Sequence, residues 1–144
     1  MGRNEPDHLA RSLEQLEDCR WAEPTFDSYL VTTCHRLRRK PLREFTVEDL
    51  RIMVGQHLGL SFLVPLSLDR LEQDPFIAGD MYPGDLLASV LRIPEAFWKS
   101  HSVLLDRTRG VVRSAVKLSQ TLDQIDRTTI EEILRQMPKS FSSQ

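Results

Sequence analysis

Hydrophobic and polar positions along this chain repeat mainly with the period of an α-helix. The clearest stretch is residues 45–60, where four positions have the i, i+3, i+4, i+7 spacing of one helical face: Leu50, Met53, Val54 and His57. Thr46 followed by Asp49 has the spacing of a capping box, which predicts a helix beginning at this point. Gly59 is suited to the position just beyond the end of that helix.

Similar stripes recur before and after this stretch, and no segment sustains the alternation of a half-buried strand. The pattern therefore predicts an all-α protein, a single-domain bundle of about seven helices with short connections. We expect residues 12–138 to form the domain, residues 1–11 to be a disordered N-terminal segment, and residues 139–144 to be a tail. A capping box at Thr128 and Glu131 predicts the last helix.

Composition is that of a soluble globular protein, because 40% of the 144 residues are hydrophobic and 28% are charged. No apolar run approaches the roughly 20 residues of a membrane span, and the first residues lack the apolar core of a signal peptide. The two cysteines, Cys19 and Cys34, are too few for a disulfide framework. We therefore expect a cytoplasmic protein with reduced thiols that does not contact a membrane.

Charge is distributed unevenly although the net charge is only -2. Residues 65–95 hold six acids against two bases, with aromatic residues among them. This mixture suits a binding surface, in which aromatic side chains supply buried area and carboxylates attract a basic partner. The predicted contact residues are Asp69, Glu72, Asp74, Phe76, Asp80, Tyr82 and Asp85. In the alternative interpretation, Phe76, Met81 and Tyr82 close the core beneath a solvated loop.

Two further charged segments are candidates for partner contacts. Residues 5–27 hold seven acids against two bases, and Glu14, Glu17 and Asp18 form a second candidate acidic patch. Residues 36–43 hold five bases and no acid, which permits an alternative function as a small helical nucleic-acid-binding regulator. The simpler interpretation is a solvated helix end, where cations interact favourably with the helix dipole.

Catalytic and metal-binding motifs are not evident in the sequence. The four histidines lack the spacing of a zinc site, and the adjacent Cys34 and His35 would point in directions about 100° apart on a helix. A third hypothesis, a small helical enzyme, would have to place its site at His35 or His57. We expect no enzymatic activity, no metal and no cofactor.

Seven short motifs follow one another along the chain, at residues 12–17, 23–31, 34–38, 40–42, 45–53, 63–66 and 82–87. In this order they resemble a helical family of immunity proteins from bacterial contact-dependent growth inhibition (CDI) systems. The resemblance implies a cytosolic, non-enzymatic antidote that binds the cognate C-terminal toxin domain of a CDI effector and covers its active site. It also implies a nuclease as the usual toxin and a monomer in a 1:1 complex, with no nucleic acid as partner.

Overall fold

The computed structural model describes residues 7–22 and 28–120 of the chain. Its α-helices are α1 (Leu13–Glu17), α2 (Tyr29–Arg38), α3 (Val47–Gly55), α4 (Leu60–Gln73), α5 (Asp85–Leu91), α6 (Glu95–Lys99) and α7 (Ser102–Ser119). Short 3-10 helices occupy Asp7–Ala10 and Leu42–Glu44. Because these described ranges contain helices and no strand, the predicted all-α class is confirmed.

Reciprocal side-chain caps fix the starts of α1 and α3, and the cap of α3 is the capping box that the sequence predicts at Thr46. At α3, the Asp49 amide donates to Thr46 Oγ1 at 3.1 Å, and the Thr46 amide donates to Asp49 Oδ2 at 3.0 Å. The same reciprocal arrangement of Ser12 and Gln15 begins α1. Each box satisfies backbone N–H groups that the first helical turn leaves unpaired.

Helix ends differ from the sequence-based expectation at two places. Helix α3 ends at Gly55 and is followed by His57 in the left-handed conformation, with φ of 61°. Gly59, predicted to terminate α3, instead precedes α4 with its own φ of 61°. His57 is therefore exposed and lies outside the buried stripe. Ser102 is the first residue of α7 and does not provide a side-chain cap.

The core is built mainly from α3, α4 and α5, with α7 packed against α4. Fully buried leucines and valines from these helices form one continuous cluster with Trp98 of α6. Burial of such side chains contributes about 1.5–3 kcal/mol each, which makes this cluster the main source of stability. Because α3 and α5 pack closely, the loop between α4 and α5 is brought against α3.

Residues 7–11 belong to the segment that the sequence predicts to be disordered, and they include the 3-10 helix Asp7–Ala10. Leu9 packs against the core cluster, and the Leu42 amide donates to the carbonyl of Arg11 at 3.0 Å. These contacts hold the segment to the body of the domain. Residues 1–6, the predicted last helix at 128–138 and the tail at 139–144 lie outside the described residues. Among the described residues, no helix is both long and apolar enough to span a membrane.

Two glycine substitutions should have opposite effects on stability. Gly59→Ala should lower the free energy of unfolding by about 1–3 kcal/mol, because φ is positive and a Cβ would lie 2.7 Å from Leu13 Cδ1. Gly110→Ala should raise it by about 0.5–1 kcal/mol, since Gly110 lies inside α7 and its Cβ would be 3.8 Å from the nearest side-chain atom. Urea titration measures both values. Equal effects would contradict the assigned backbone conformation at Gly59.

Candidate partner-binding surface

The predicted contact residues lie on and around the loop of residues 74–84, which joins α4 to α5. We call this segment the acidic loop. It is folded on itself by an isolated bridge between Ala78 and Pro83 and by a hydrogen bond from the Gly84 amide to the carbonyl of Phe76 at 3.1 Å. The Phe76 amide also donates to Asp74 Oδ1 at 3.1 Å. The loop is therefore a defined structure with internal hydrogen bonds.

Four consecutive amides of the acidic loop, at residues 79–82, donate to two carboxylates beneath it. Asp85 accepts from the amides of residues 79, 81 and 82 at 2.7, 3.0 and 3.3 Å. Glu48 of α3 accepts from the amide of residue 80 at 2.8 Å. Charged acceptors make stronger hydrogen bonds than neutral ones. These two carboxylates therefore determine the shape of the loop.

Asp85 is only 2% exposed, although the sequence suggests that it lies on the binding surface. It begins α5, where the helix dipole also favours a negative charge. Its three amide partners explain how a carboxylate is accommodated at a buried position. The structure thus places Asp85 under the loop, where it positions the residues that reach solvent.

Arg51 of α3 balances the charge of both carboxylates. Its guanidinium donates to the two oxygens of Glu48 at 2.7 and 2.5 Å, and it lies 3.8 Å from Asp85. The hydrogen bond from Arg51 holds the pKa of Glu48 below its usual value, with a smaller contribution from the Asp80 amide. Gly79 fits between the carboxylates because a Cβ there would lie 2.7 Å from Glu48 Oε1.

Asp69 and Glu72, on the last turns of α4, are paired with Arg107 of α7. Arg107 donates to Asp69 at 2.9 Å and to both oxygens of Glu72 at 2.8 and 2.9 Å. The hydrogen bond from Arg107 lowers the pKa of Glu72. One guanidinium thus offsets part of the negative charge of these two acids, although both remain exposed to solvent.

Asp74 and Asp80 are the exposed acids of the loop that form no ion pair within the described ranges. Phe76 and Tyr82 are half-buried and pack against the core, as the alternative interpretation predicts. Met81 does not follow that interpretation, because it is 64% exposed. The loop therefore presents two carboxylates and a flexible apolar side chain to solvent.

Two bases of residues 36–43 pair with two acids of residues 5–27. Arg38 is buried, contacts Glu17, donates to the carbonyl of Cys19 and lies over the Trp21 ring at 4.6 Å. Arg39 pairs with Glu14 at 3.5 Å. These pairs attach α1 to α2, so part of the charge of both segments serves the fold.

Lys40 also contributes to the fold, because its Nζ donates to Asp49 Oδ2 of the α3 capping box at 2.6 Å. Arg38, Arg39 and Lys40 are thus all in ion pairs. Arg36 remains exposed. Arg39 and Arg43 are exposed as well, so the segment combines cations that hold helices together with cations that reach solvent.

The histidines and cysteines do not converge on a reactive site. His35 meets the edge of Trp21, with 5.0 Å between ring centroids, and His57 is exposed. Cys34 is buried, which raises the pKa of its thiol. Within residues 7–22 and 28–120, no group of three His, Cys, Asp or Glu side chains is placed to hold a metal ion.

Glu48 and Arg51 are the site residues that the sequence-based prediction misses. Their i, i+3 spacing on a helix indicates an ion pair, but Glu48 has a sufficient explanation as an acid at a helix start. Its bond to the Asp80 amide joins positions 32 residues apart. No local pattern reveals that contact.

The family model described as CDI immunity proteins matches residues 15–108. This region runs from α1 into α7 and contains the whole acidic loop. No curated protein and no solved structure gives a significant match.

Asp85→Asn should lower the free energy of unfolding by about 2–3 kcal/mol, because an amide side chain cannot accept the same three backbone hydrogen bonds. Asp74→Asn, the matched control on the exposed side of the loop, should change it by less than about 0.5 kcal/mol. Urea unfolding at neutral pH measures both. Similar losses in the two variants would contradict the buried, loop-organising position of Asp85.

Glu48→Gln should be less stable than the unmodified protein at neutral pH, and the difference should shrink in acid. The pKa of Glu48 is lowered in the folded state, so its contribution is complete above the reference value of 4.5 and is lost as pH falls through the lowered value. Unfolding free energies at about pH 7 and about pH 3 test this. Glu44→Gln, at an exposed glutamate, is the control. A stability difference independent of pH would contradict the assignment.

Proposed function

The chain belongs to the family of CDI immunity proteins, and on this premise we propose that it binds and neutralises the cognate toxin domain of a CDI effector. The match over residues 15–108, which is more than half of the 144-residue chain, is the observation that carries the proposal. In this proposal the protein acts in the cytoplasm as a 1:1 partner of the toxin domain. It blocks the toxin by occupying its active site, without catalysis of its own.

The acidic loop is the surface that we propose for toxin contact. Asp74 and Asp80 are exposed on it, and Asp69 and Glu72 lie beside it at the end of α4. Phe76 and Tyr82 support the loop from the core side, and Asp85 fixes its backbone. A surface whose backbone is already held in place loses less conformational entropy on binding.

A nuclease is the class of toxin that best fits this charge distribution. Nuclease clefts are basic because they bind a phosphate backbone. Carboxylates displayed on a folded loop carry the same sign of charge as phosphates, and they would attract such a cleft over several ångströms. In this proposal the exposed acids accelerate association, whereas shape and apolar contacts determine how long the complex lasts.

The experiment that tests this function is co-expression with the toxin domain encoded next to this gene. Cells producing the toxin domain should survive only when this protein is also present, and the two proteins should co-purify in a 1:1 complex. Survival without co-purification would contradict direct binding. A toxin that remains lethal in the presence of the folded protein would contradict the proposed function itself.

Reversal of the two unpaired acids should slow binding. Asp74→Lys with Asp80→Lys should reduce the association rate by about tenfold or more at low salt, with a smaller difference near physiological salt. Stopped-flow mixing with the purified toxin domain measures this rate. Glu44→Lys with Glu95→Lys is the matched control, since it changes the net charge equally at exposed positions outside the loop. Equal rates for the two double variants would remove the acidic loop from the proposal.

A further inference from the structure

Tyr29, the first residue of α2, is 78% exposed and lies between two depressions of the surface. The first has a volume of about 480 Å³ and is lined by Arg36, Glu48 and Asp80 as well as by Tyr29. The second has a volume of about 320 Å³ and is lined by residues that include Leu30 and Arg92. An exposed aromatic ring between two hollows is typical of a protein contact surface.

The larger depression is continuous with the acidic loop, because Ala78, Gly79 and Asp80 form one of its walls. A stable protein interface buries about 800 Å² on each partner, which usually requires 20–30 residues. The acidic loop alone is too short to supply that area. The adjoining surface around Tyr29 is therefore the natural extension of the same contact region.

The charges around the larger depression indicate which groups a complementary partner surface would carry. Arg36 stands on the α2 side and Asp80 on the loop side, and neither forms an ion pair within the described residues. The carboxylates of Glu48 and Asp49 at the same depression are already bound to Arg51 and Lys40. A complementary partner would place a basic group opposite Asp80 and an acidic group opposite Arg36.

We propose that Tyr29 is the anchor of the toxin-binding surface, which extends from the acidic loop across the depression to Arg36. The occupant is the toxin domain itself, with an apolar pocket for the Tyr29 ring flanked by one basic and one acidic group. A tyrosine suits this position because its rigid ring can bury a large area at low entropic cost, and its hydroxyl can form a hydrogen bond at the edge of the contact. This inference rests on the proposed function and identifies the centre of the contact.

Binding of the purified toxin domain to Tyr29→Ala, Tyr29→Phe and Val103→Ala, measured by calorimetry, tests the inference. Tyr29→Ala should weaken binding by at least about tenfold, whereas Tyr29→Phe, which keeps the ring, should stay within about threefold. Val103→Ala is the matched control, because Val103 is 71% exposed on α7 and lines neither depression. It should bind as tightly as the unmodified protein.

Charge reversal supplies a second readout of the same inference. Arg36→Glu should weaken binding by about tenfold. Urea unfolding should show unchanged stability for the variants of Tyr29, which is exposed, and only a small loss for Arg36→Glu, because an acid replaces a cation in the last turn of α2. If the toxin binds and Tyr29→Ala behaves like Val103→Ala, the inference is wrong while the proposed function stands. If the unmodified protein does not bind the toxin, both are overturned.

Discussion

One guanidinium, that of Arg51, makes it possible for two carboxylates to lie together against the same stretch of backbone. Glu48 and Asp85 come from different helices and bind neighbouring amides of the acidic loop. Without a cation between them, their mutual repulsion would favour moving the two carboxylates apart. Arg51 contacts both, and so it couples α3, α5 and the loop into a single unit. The surface that faces solvent depends on this arrangement.

On the α2 side of the molecule, two cations are held against neighbouring helices, whereas Arg36 stays exposed. Arg38 and Lys40 are turned inward to hold α1 and the start of α3, so they add little to the field felt by a partner. Acidic side chains of the loop are turned outward. Net charge is close to neutral, yet the exposed loop is acidic because the pairing is selective. Such selective pairing is consistent with a protein that attracts a basic surface.

Local signals in the sequence are sufficient to predict the helices but not the site. The capping boxes at Ser12 and Thr46 act over three residues, and their pattern alone predicts where α1 and α3 begin. Left-handed residues at helix ends are less predictable. His57, with φ of 61°, adopts a conformation that glycine takes more readily than other residues.

The candidate site depends on contacts between distant positions. Arg107 reaches acids 35 and 38 residues earlier, and Asp80 reaches Glu48 across 32 residues. Composition alone counts every one of these acids as surface charge. Only the fold separates Asp85, which organises the loop, from Asp74 and Asp80, which face solvent.

The inward orientation of the amides at residues 79–82 has a further chemical consequence. Since these N–H groups already donate to Asp85 and Glu48, the loop exposes mainly oxygen atoms, which are hydrogen-bond acceptors. A binding partner can therefore pair with the loop through donor-rich side chains such as arginine and lysine.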